Sequence, residues 1–152
     1  MSSSYLNAGL PAPLATDLDR PFWDGLRANK LLLQRCRRCA RFQWGPEWIC
    51  HRCQNFDLDF AAVEAHGTIF SHQRVWHPVH PALNEQGPYV IVLVELAHAD
   101  NVRLVGNLLG DPAQDLIIGA AVEGVFEHHA DNVAPFTLLQ WRYPETPPSG
   151  QR

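Results

Sequence analysis

Four cysteines, the only ones in the chain, are arranged as two C-x2-C pairs: Cys36 with Cys39, and Cys50 with Cys53. A tetrahedral metal ion needs four soft ligands that converge from two directions, and each C-x2-C turn brings two sulfur atoms near one point. The ten residues between the pairs are fewer than in a typical zinc site, but they are enough for a hairpin. The pattern therefore predicts a small ribbon closed by one Zn²⁺.

Three other interpretations of the cysteines stay open at this stage. Iron in a rubredoxin-like site uses the same four thiolates, and the cysteines could also be two disulfides or free buried thiols. Disulfides need an oxidising compartment. Residues 1–4 lack the basic start of a signal peptide, and the apolar run Tyr89–Leu96 is too short to cross a bilayer. We therefore expect a cytoplasmic protein whose thiolates stay reduced.

The charge of the chain is unevenly placed. Residues 1–53 carry a net charge of +4 and residues 54–152 carry −8, which gives −4 in all. Binding to a nucleic-acid backbone depends on cationic side chains that neutralise phosphates. The acidic C-terminal part is therefore a poor candidate for a nucleic-acid-binding surface.

The N-terminal part predicts an arm followed by one short helix. Residues 1–18 contain glycine and prolines that leave little scope for regular structure. Asp19 is suited to cap a helix, in which Phe22, Trp23 and Leu26 fall on one side. We expect this aromatic face to dock on this chain or on a partner, and Phe22 and Trp23 are candidates for a partner interface.

The rest of the chain predicts short strands. Residues 30–35 form a strand that enters the first cysteine turn, and residues 42–49 form the return path. Five further strands are expected at 67–76, 89–97, 102–109, 121–127 and 136–143, separated by turn residues. Five strands suit a small closed or partly open barrel. An immunoglobulin-like sandwich is the competing fold, but it usually needs about seven strands.

Several segments in this order resemble one known family. The segments are Phe-Trp-Asp-Gly-Leu at 22–26, the run 31–39 that ends in the first cysteine pair, the second pair, and the stretches 67–71, 77–81 and 88–96. Together they resemble the DUF35 family over residues 19–143. The resemblance implies a mainly β fold in which an N-terminal helix and a rubredoxin-like zinc ribbon precede a five-stranded OB-fold barrel.

The resemblance also implies domain limits and a role. The expected divisions are an arm at 1–18, the helix and zinc ribbon at 19–60, the barrel at 61–144 and a flexible tail at 145–152. Family members accompany thiolase-like enzymes, acyl-CoA hydratases or steroid side-chain aldolases, and are thought to bind or channel acyl-CoA thioesters. The catalytic residues belong to the larger partner, so the implied role is that of a non-catalytic subunit in a hetero-oligomer.

The metal turns depart from the family pattern at two positions. Members usually have glycine just after the second and fourth cysteines, where this chain has Ala40 and Gln54. Glycine there permits a left-handed backbone. All four cysteines remain, so the prediction of a zinc site at Cys36, Cys39, Cys50 and Cys53 stands.

A basic stretch surrounds the first cysteine pair, with no acidic residue between Asp24 and Glu47. Its members Lys30, Arg35, Arg38 and Arg41 are candidates to contact the phosphates of coenzyme A or an acidic partner. The competing interpretation is charge balance, because a zinc ion with four thiolates carries a formal charge of −2, which Arg37 and Arg38 inside the first metal turn are expected to offset.

No pattern for catalysis is present. The chain has no G-x-S-x-G elbow and no cysteine outside the two pairs. His77 and His80 form only a weak ligand pattern beside prolines. Two alternative functions stay open: a nucleic-acid-binding module, because OB barrels and zinc ribbons both occur in such proteins, and an iron electron carrier.

Overall fold

The computed structural model describes residues 12–145, except 79, 81, 82, 84–86 and 133. Within these residues the chain is mainly β, as predicted, with helix α1 (Arg20–Arg27) and strands β1 (Leu31–Cys36), β2 (Phe42–Gln43), β3 (Leu58–Val63), β4 (His66–Val75), β5 (Tyr89–Leu96), β6 (Val102–Asn107), β7 (Ala121–His129) and β8 (Phe136–Arg142). Most of the predicted arm and nearly all of the predicted tail lie outside the described residues. None of the described helices is long and apolar enough to cross a membrane.

Helix α1 begins after Asp19, as the sequence predicts, but the Asp19 side chain does not cap it. Its Oδ1 instead accepts hydrogen bonds from the Thr16 backbone N–H at 2.6 Å and the Thr16 hydroxyl at 2.8 Å. Its Oδ2 accepts from the Trp23 indole N–H at 3.1 Å. The prediction that the Asp19 side chain caps α1 is wrong, because its carboxylate accepts hydrogen bonds from Thr16 and Trp23 instead. The bond to the indole N–H holds the Trp23 ring in place.

The ribbon is a three-stranded antiparallel sheet in the order β2-β1-β3. Strand β1 pairs along its whole length with β3, from Leu31 opposite Val63 to Cys36 opposite Leu58. The predicted return path at 42–49 does begin antiparallel to β1, with Phe42 opposite Arg35, but only Phe42–Gln43 of it is a strand. Strand β3, which the sequence interpretation missed, supplies the long partner and crosses the boundary that was predicted between residues 60 and 61.

The five remaining strands form one antiparallel sheet in the order β6-β5-β4-β7-β8. Its two edges meet, because the Leu109 N–H donates to the Trp141 carbonyl at 2.7 Å and Leu108 bridges to Trp141. The result is a nearly closed barrel, as predicted, and the single sheet excludes the immunoglobulin-like sandwich. Each predicted barrel strand is present within about two residues of its expected limits.

The core lies inside the barrel and continues to the helix. Alternate residues of β5 are buried, from Val90 to Leu96, and Trp141 is fully buried opposite them. Leu26 of α1 and Leu33 of β1 belong to the same cluster. Helix α1 therefore docks on its own chain and joins the ribbon to the barrel.

Candidate functional site

The four cysteine sulfur atoms come together at one point. All lie within 4.8 Å of one another, and the closest pairs, Cys36 with Cys53 and Cys39 with Cys50, are each 3.6 Å apart. A disulfide needs about 2.05 Å, so these thiols are free. Zn–S bonds of about 2.3 Å in a tetrahedron place the sulfurs roughly 3.8 Å apart. The cluster therefore fits a tetrahedral metal, with ligands from two turns as predicted.

The two turns repeat the same backbone pattern. In each turn the carbonyl of the first cysteine accepts a hydrogen bond from the backbone N–H of the fourth residue after it. The backbone N–H of the same cysteine donates to the carbonyl of the fifth residue after it. These bonds are Ala40 N to Cys36 O at 2.9 Å, Cys36 N to Arg41 O at 2.9 Å, Gln54 N to Cys50 O at 3.0 Å and Cys50 N to Asn55 O at 2.9 Å. This repetition presents the two sulfurs of each turn to a shared centre.

Ala40 and Gln54 adopt the left-handed backbone that the sequence analysis expected there. Their φ angles are 60° and 58°. Residues with a Cβ take this conformation at a cost of about 1–2 kcal/mol each. Both turns are therefore formed without glycine, but under local backbone strain.

One cysteine of each pair is set up to ionise. The backbone N–H of Cys39, 3.5 Å from Cys36 Sγ, is the main cause that lowers the pKa of Cys36 to about 6. The N–H of Cys53 in the same way lowers the pKa of Cys50. At Cys53 the N–H of Asn55 acts to lower the pKa, but burial and the neighbouring thiols raise it to about 11. Backbone N–H groups thus favour thiolates, which are the form that binds metal.

A buried pair of glutamines holds the segment between the turns, and the sequence interpretation missed it. Gln43 Nε2 donates to Gln34 Oε1 at 2.6 Å, and both side chains are buried. The pair also binds backbone groups of Glu47, Ile49 and His51 at 2.9–3.2 Å. These bonds tie the loop that leads to the second cysteine pair onto β1 and β2. No local signal distinguishes these glutamines from surface ones.

The predicted basic residues do not gather at one place. Arg41 pairs with Asp100, whose pKa is lowered mainly by the Phe42 backbone N–H at 2.9 Å and then by Arg41. Arg35 donates to the Ala40 carbonyl at 2.8 Å. Among the described residues, Lys30 and Arg38 are exposed and have no ion-pair partner. Arg37, expected to offset the thiolate charge, pairs instead with Asp59 at 2.5 Å and Asp57 at 3.6 Å.

A polar groove of about 310 Å³ lies between the ribbon and the barrel. Of the four basic candidates, only Arg41 lines it. The other basic residues at the groove are Arg52, Arg103 and His51. Arg103 belongs to the barrel, so sequence proximity could not have grouped it with the ribbon arginines. Arg52 could have been predicted from sequence, because it precedes Cys53 as Arg38 precedes Cys39.

The aromatic interface candidates are placed differently from each other. Phe22 is buried and its ring centroid lies 4.2 Å from that of Trp44, so it packs within this chain. Trp23 is half-buried. The exposed aromatic side chains of the ribbon are instead Trp48, 70% exposed, and Phe56, 77% exposed.

The histidines form no second metal group within the described ranges, where the four cysteines are the only such cluster found. His128 lies between the Thr137 hydroxyl and the Asn29 carboxamide oxygen, at 2.9 Å from each. His129 pairs with Glu127 at 2.6 Å, and both are buried.

Comparison with known proteins agrees with this geometry. A family model described as "ChsH2, rubredoxin-like zinc ribbon domain" matches residues 23–59, and one described as "ChsH2, C-terminal OB-fold domain" matches residues 61–127. The chain belongs to the DUF35 family. The predicted OB-fold is thereby confirmed, and the zinc-ribbon match falls on the four clustered cysteines.

Three curated proteins are similar to this chain in sequence. A probable enoyl-CoA hydratase alpha subunit from Thermomonospora curvata is 35% identical over 113 residues, which are 74% of this chain and 34% of that protein. A 3-oxo-4,17-pregnadiene-20-carboxyl-CoA hydratase alpha subunit from Mycobacterium tuberculosis is 30% identical, over 88% of this chain and 44% of that one. A DUF35 domain-containing scaffold protein from Methanocaldococcus jannaschii is 27% identical over 60% of this chain and 64% of that protein. The chain thus spans less than half of the two hydratase subunits.

A solved structure titled "Ltp2-ChsH2(DUF35) aldolase" aligns with a TM-score of 0.74 and 29% identity, and the alignment covers 87% of this chain and 98% of that one. A DUF35 protein of unknown function from Sulfolobus solfataricus aligns with a TM-score of 0.58 at 15% identity, which supports the fold.

Proposed function

We propose that this chain is a non-catalytic accessory subunit that binds one structural Zn²⁺ and docks on a hydratase, aldolase or thiolase-like enzyme of acyl-CoA or steroid side-chain metabolism. The observation that carries the proposal is the structural match over 98% of the DUF35 chain in the aldolase structure. The names of the two hydratase alpha subunits support it further. The subunit acts in the cytoplasm, where its thiolates stay reduced.

The absence of an evident reaction centre supports an accessory role. In the part of the chain that the structure describes, the four cysteines are committed to one cluster. Glu127 and His129 are close enough to exchange a proton, but their side chains are only 4% and 7% exposed. A general acid or base has to reach its substrate, and this pair is enclosed.

Zn²⁺ is the proposed metal because its filled d shell accepts the tetrahedral thiolate set without redox chemistry. All four sulfurs are used, so no open position remains for a substrate and the metal's role is structural. Iron is the alternative with the same ligands. An iron tetrathiolate absorbs visible light when oxidised, whereas the zinc protein is colourless, so an absorption spectrum with metal analysis distinguishes them.

The polar groove is the proposed contact for the phosphates of an acyl-CoA thioester. Arg41 and Arg103 are paired with acids, but Arg52 has no ion-pair partner among the described residues and is free to bind an anion. Guanidinium groups bind phosphate through paired charge-assisted hydrogen bonds. The earlier candidates Lys30, Arg35 and Arg38 lie outside this groove.

Two matched substitutions test this contact. Arg38 and Arg52 occupy equivalent positions, each just before the second cysteine of its turn. We expect Arg52→Glu to weaken binding of a CoA thioester at least tenfold, since a hydrogen bond to a charged group contributes about 1.5–3 kcal/mol, and Arg38→Glu to change it less than twofold. Calorimetric titration of the zinc-loaded subunit with octanoyl-CoA measures both. A loss confined to Arg38→Glu would instead favour the contact predicted from sequence.

Partner docking is tested by co-expression with a thiolase-like or hydratase protein encoded beside this chain. We expect co-elution in size-exclusion chromatography and thioester turnover only when the partner is present. Turnover by the isolated subunit, or failure to associate with any such protein, would contradict the accessory role.

A further inference from the structure

Strand β4 has an open edge along its second half. Its first three residues pair with β7, and the Ile69 backbone exchanges hydrogen bonds with Gly119 and Ala120 at 2.8 and 3.0 Å. Among the described strands, only β5 pairs with the following residues, Ser71–Val75. Residues 70–73 are all exposed, as expected for an edge that no described segment covers.

Two residues direct their backbone groups out of this edge. The Val90 carbonyl of β5 accepts the Leu108 N–H at 2.9 Å on the side of β6. Backbone groups alternate between the two sides of an antiparallel strand. Arg74, which lies opposite Val90, therefore points its N–H and carbonyl away from β5, and so does His72. In the described part of the chain, the only partner of these four groups is the Gln73 side chain, whose Nε2 donates to the Arg74 carbonyl at 2.8 Å.

The open edge of β3 shows how this chain protects an edge elsewhere. There the Asp59 carboxylate, 57% exposed, accepts the Phe60 N–H at 2.8 Å, and pairing two such edges would bring acidic side chains together. Proteins commonly protect open edges with charged side chains or proline. Residues 70–75 of β4 contain no proline, lysine or acid, and their one arginine, Arg74, donates to the Gln114 carbonyl at 2.7 Å. The β4 edge is therefore unprotected and suited to pairing with itself.

We propose that the β4 edge pairs with the β4 edge of a second copy of this chain in a two-fold symmetric dimer. Antiparallel pairing with Gln73 at the axis places His72 of each copy opposite Arg74 of the other. Each such pair exchanges two backbone hydrogen bonds, and the second lone pair of the Arg74 carbonyl is free to accept one. Phe70, 42% exposed, then lies at the level of Trp76 of the other copy, 60% exposed, so exposed aromatic side chains lie at both ends of the contact.

A second copy fits this edge because a two-fold contact is self-complementary. The same edge supplies both the donors and the acceptors, and no acidic side chains meet at the axis. Pairing joins β6, β5 and β4 of both copies into one continuous sheet. The proposal goes beyond the accessory role and depends on neither the zinc site nor a partner enzyme.

Sedimentation velocity of the metal-loaded chain over a wide range of concentration is the first test. We expect a shift with rising concentration from one copy of 17.1 kDa to a species of twice that mass. A monomer at every concentration overturns the proposal. A monomer that associates with a co-expressed enzyme, and loses this association in the His72→Pro variant, also overturns it, because the edge would then belong to an enzyme strand.

Two matched proline substitutions locate the contact. Proline at His72 removes an N–H that points away from β5, which an edge strand tolerates. Because two hydrogen bonds per dimer are lost, we expect the dimer dissociation constant to rise at least about tenfold. Ala62→Pro is the control on the open edge of β3, where the Arg37 N–H donates to the Asp57 carbonyl at 3.0 Å and the N–H of Ala62, by alternation, also points outward. It should leave the dimer unchanged, and equal effects of the two variants would contradict the assignment.

A charge exchange at Gln73 tests the symmetry axis itself. The Gln73 side chain is exposed, so Gln73→Lys and Gln73→Glu leave the fold intact. Each variant alone places like charges directly opposite each other across the axis, and we expect the dimer to weaken about two- to fivefold. An equal mixture of the two variants should form a dimer that is tighter than either variant alone. A mixture that is no tighter than the single variants would overturn the proposed pairing.

Discussion

The ribbon tip, residues 37–57, and the barrel are held together by different forces. In the tip only Gln43 and Cys50 are buried, so it has no apolar core of its own. In β5 of the barrel every second residue is buried, from Val90 to Leu96. Apolar burial is therefore the main stabilising interaction of the barrel, whereas the tip needs other interactions.

Ion pairs do not compensate for the missing apolar core of the tip. Arg37 pairs with Asp57 and Asp59 through side chains that are 57–64% exposed, and Arg41, which is 47% exposed, pairs with Asp100 outside the tip. Exposed pairs of this kind contribute about 0–1 kcal/mol. Segments below about 40 residues usually need a metal or disulfides for stability. We therefore expect a metal at the cysteines to be the main stabiliser of the tip.

The largest expected effect comes from Cys39→Ser. Structural zinc contributes an apparent 10–16 kcal/mol in small zinc domains, so we expect the tip to unfold while the barrel stays folded. Hydrogen exchange should become fast at the amides of Ala40 and Gln54, and stay slow along β5. Arg38→Lys, next to the cluster, is the control and should leave both regions protected. A variant in which the barrel unfolds together with the tip would break the comparison.

Leu96→Ala is the converse test, in the barrel. Leu96 is fully buried, and such truncations cost about 2–5 kcal/mol in the free energy of unfolding. Denaturant titration followed by circular dichroism measures this loss, and metal affinity should stay unchanged. Ile118→Ala, at a position 61% exposed, is the control and should change stability by less than about 0.5 kcal/mol. A large loss of metal affinity in Leu96→Ala would contradict the separation of the two regions.

Gln43→Ala should have an intermediate effect, confined to the ribbon. It leaves the His51 N–H and the Ile49 carbonyl without their side-chain partner, which costs about 1–3 kcal/mol. We expect metal affinity, measured by competition with a chelator, to fall about five- to 100-fold. The control is Gln73→Ala, at an exposed position of β4, which should leave the affinity unchanged. No change in Gln43→Ala would show that the buried glutamines do not support the metal turns.

The smallest effect is expected from glycine at the two strained positions. Ala40→Gly and Gln54→Gly should each stabilise the tip by about 0.5–1 kcal/mol, because glycine adopts a positive φ without a Cβ clash. The same chelator competition should show slightly tighter metal binding. Ala62→Gly, at an exposed position of β3 whose φ is not positive, should instead destabilise by about that amount. Weaker metal binding in Ala40→Gly would show that the turn is not under strain.

The features predicted from sequence are those encoded over short distances. The C-x2-C spacing fixes both metal turns, and alternating apolar residues fix β5. Strand β3 was not predicted, although Leu58 and Phe60 alternate with Asp57 and Asp59, because the spacing of the cysteines indicated a partner for β1 between the two pairs and not beyond them.

Features built from distant segments could not be predicted. An apolar pocket combines α1 with β8, and the polar groove combines Arg52 with Arg103 of the barrel. Asp19 shows that short-range prediction is limited too. Its place just before α1 was predicted correctly, but its side chain binds Thr16 and Trp23 and does not cap the helix. Sequence spacing does not decide which of several nearby donors a carboxylate will accept from.

The most direct test of the account is metal analysis of the native protein, combined with hydrogen exchange before and after chelation. We expect one Zn²⁺ per chain, a colourless solution, and fast exchange of the Ala40 and Gln54 amides once the metal is removed, with β5 still protected. A metal-free protein whose tip amides remain protected would contradict it.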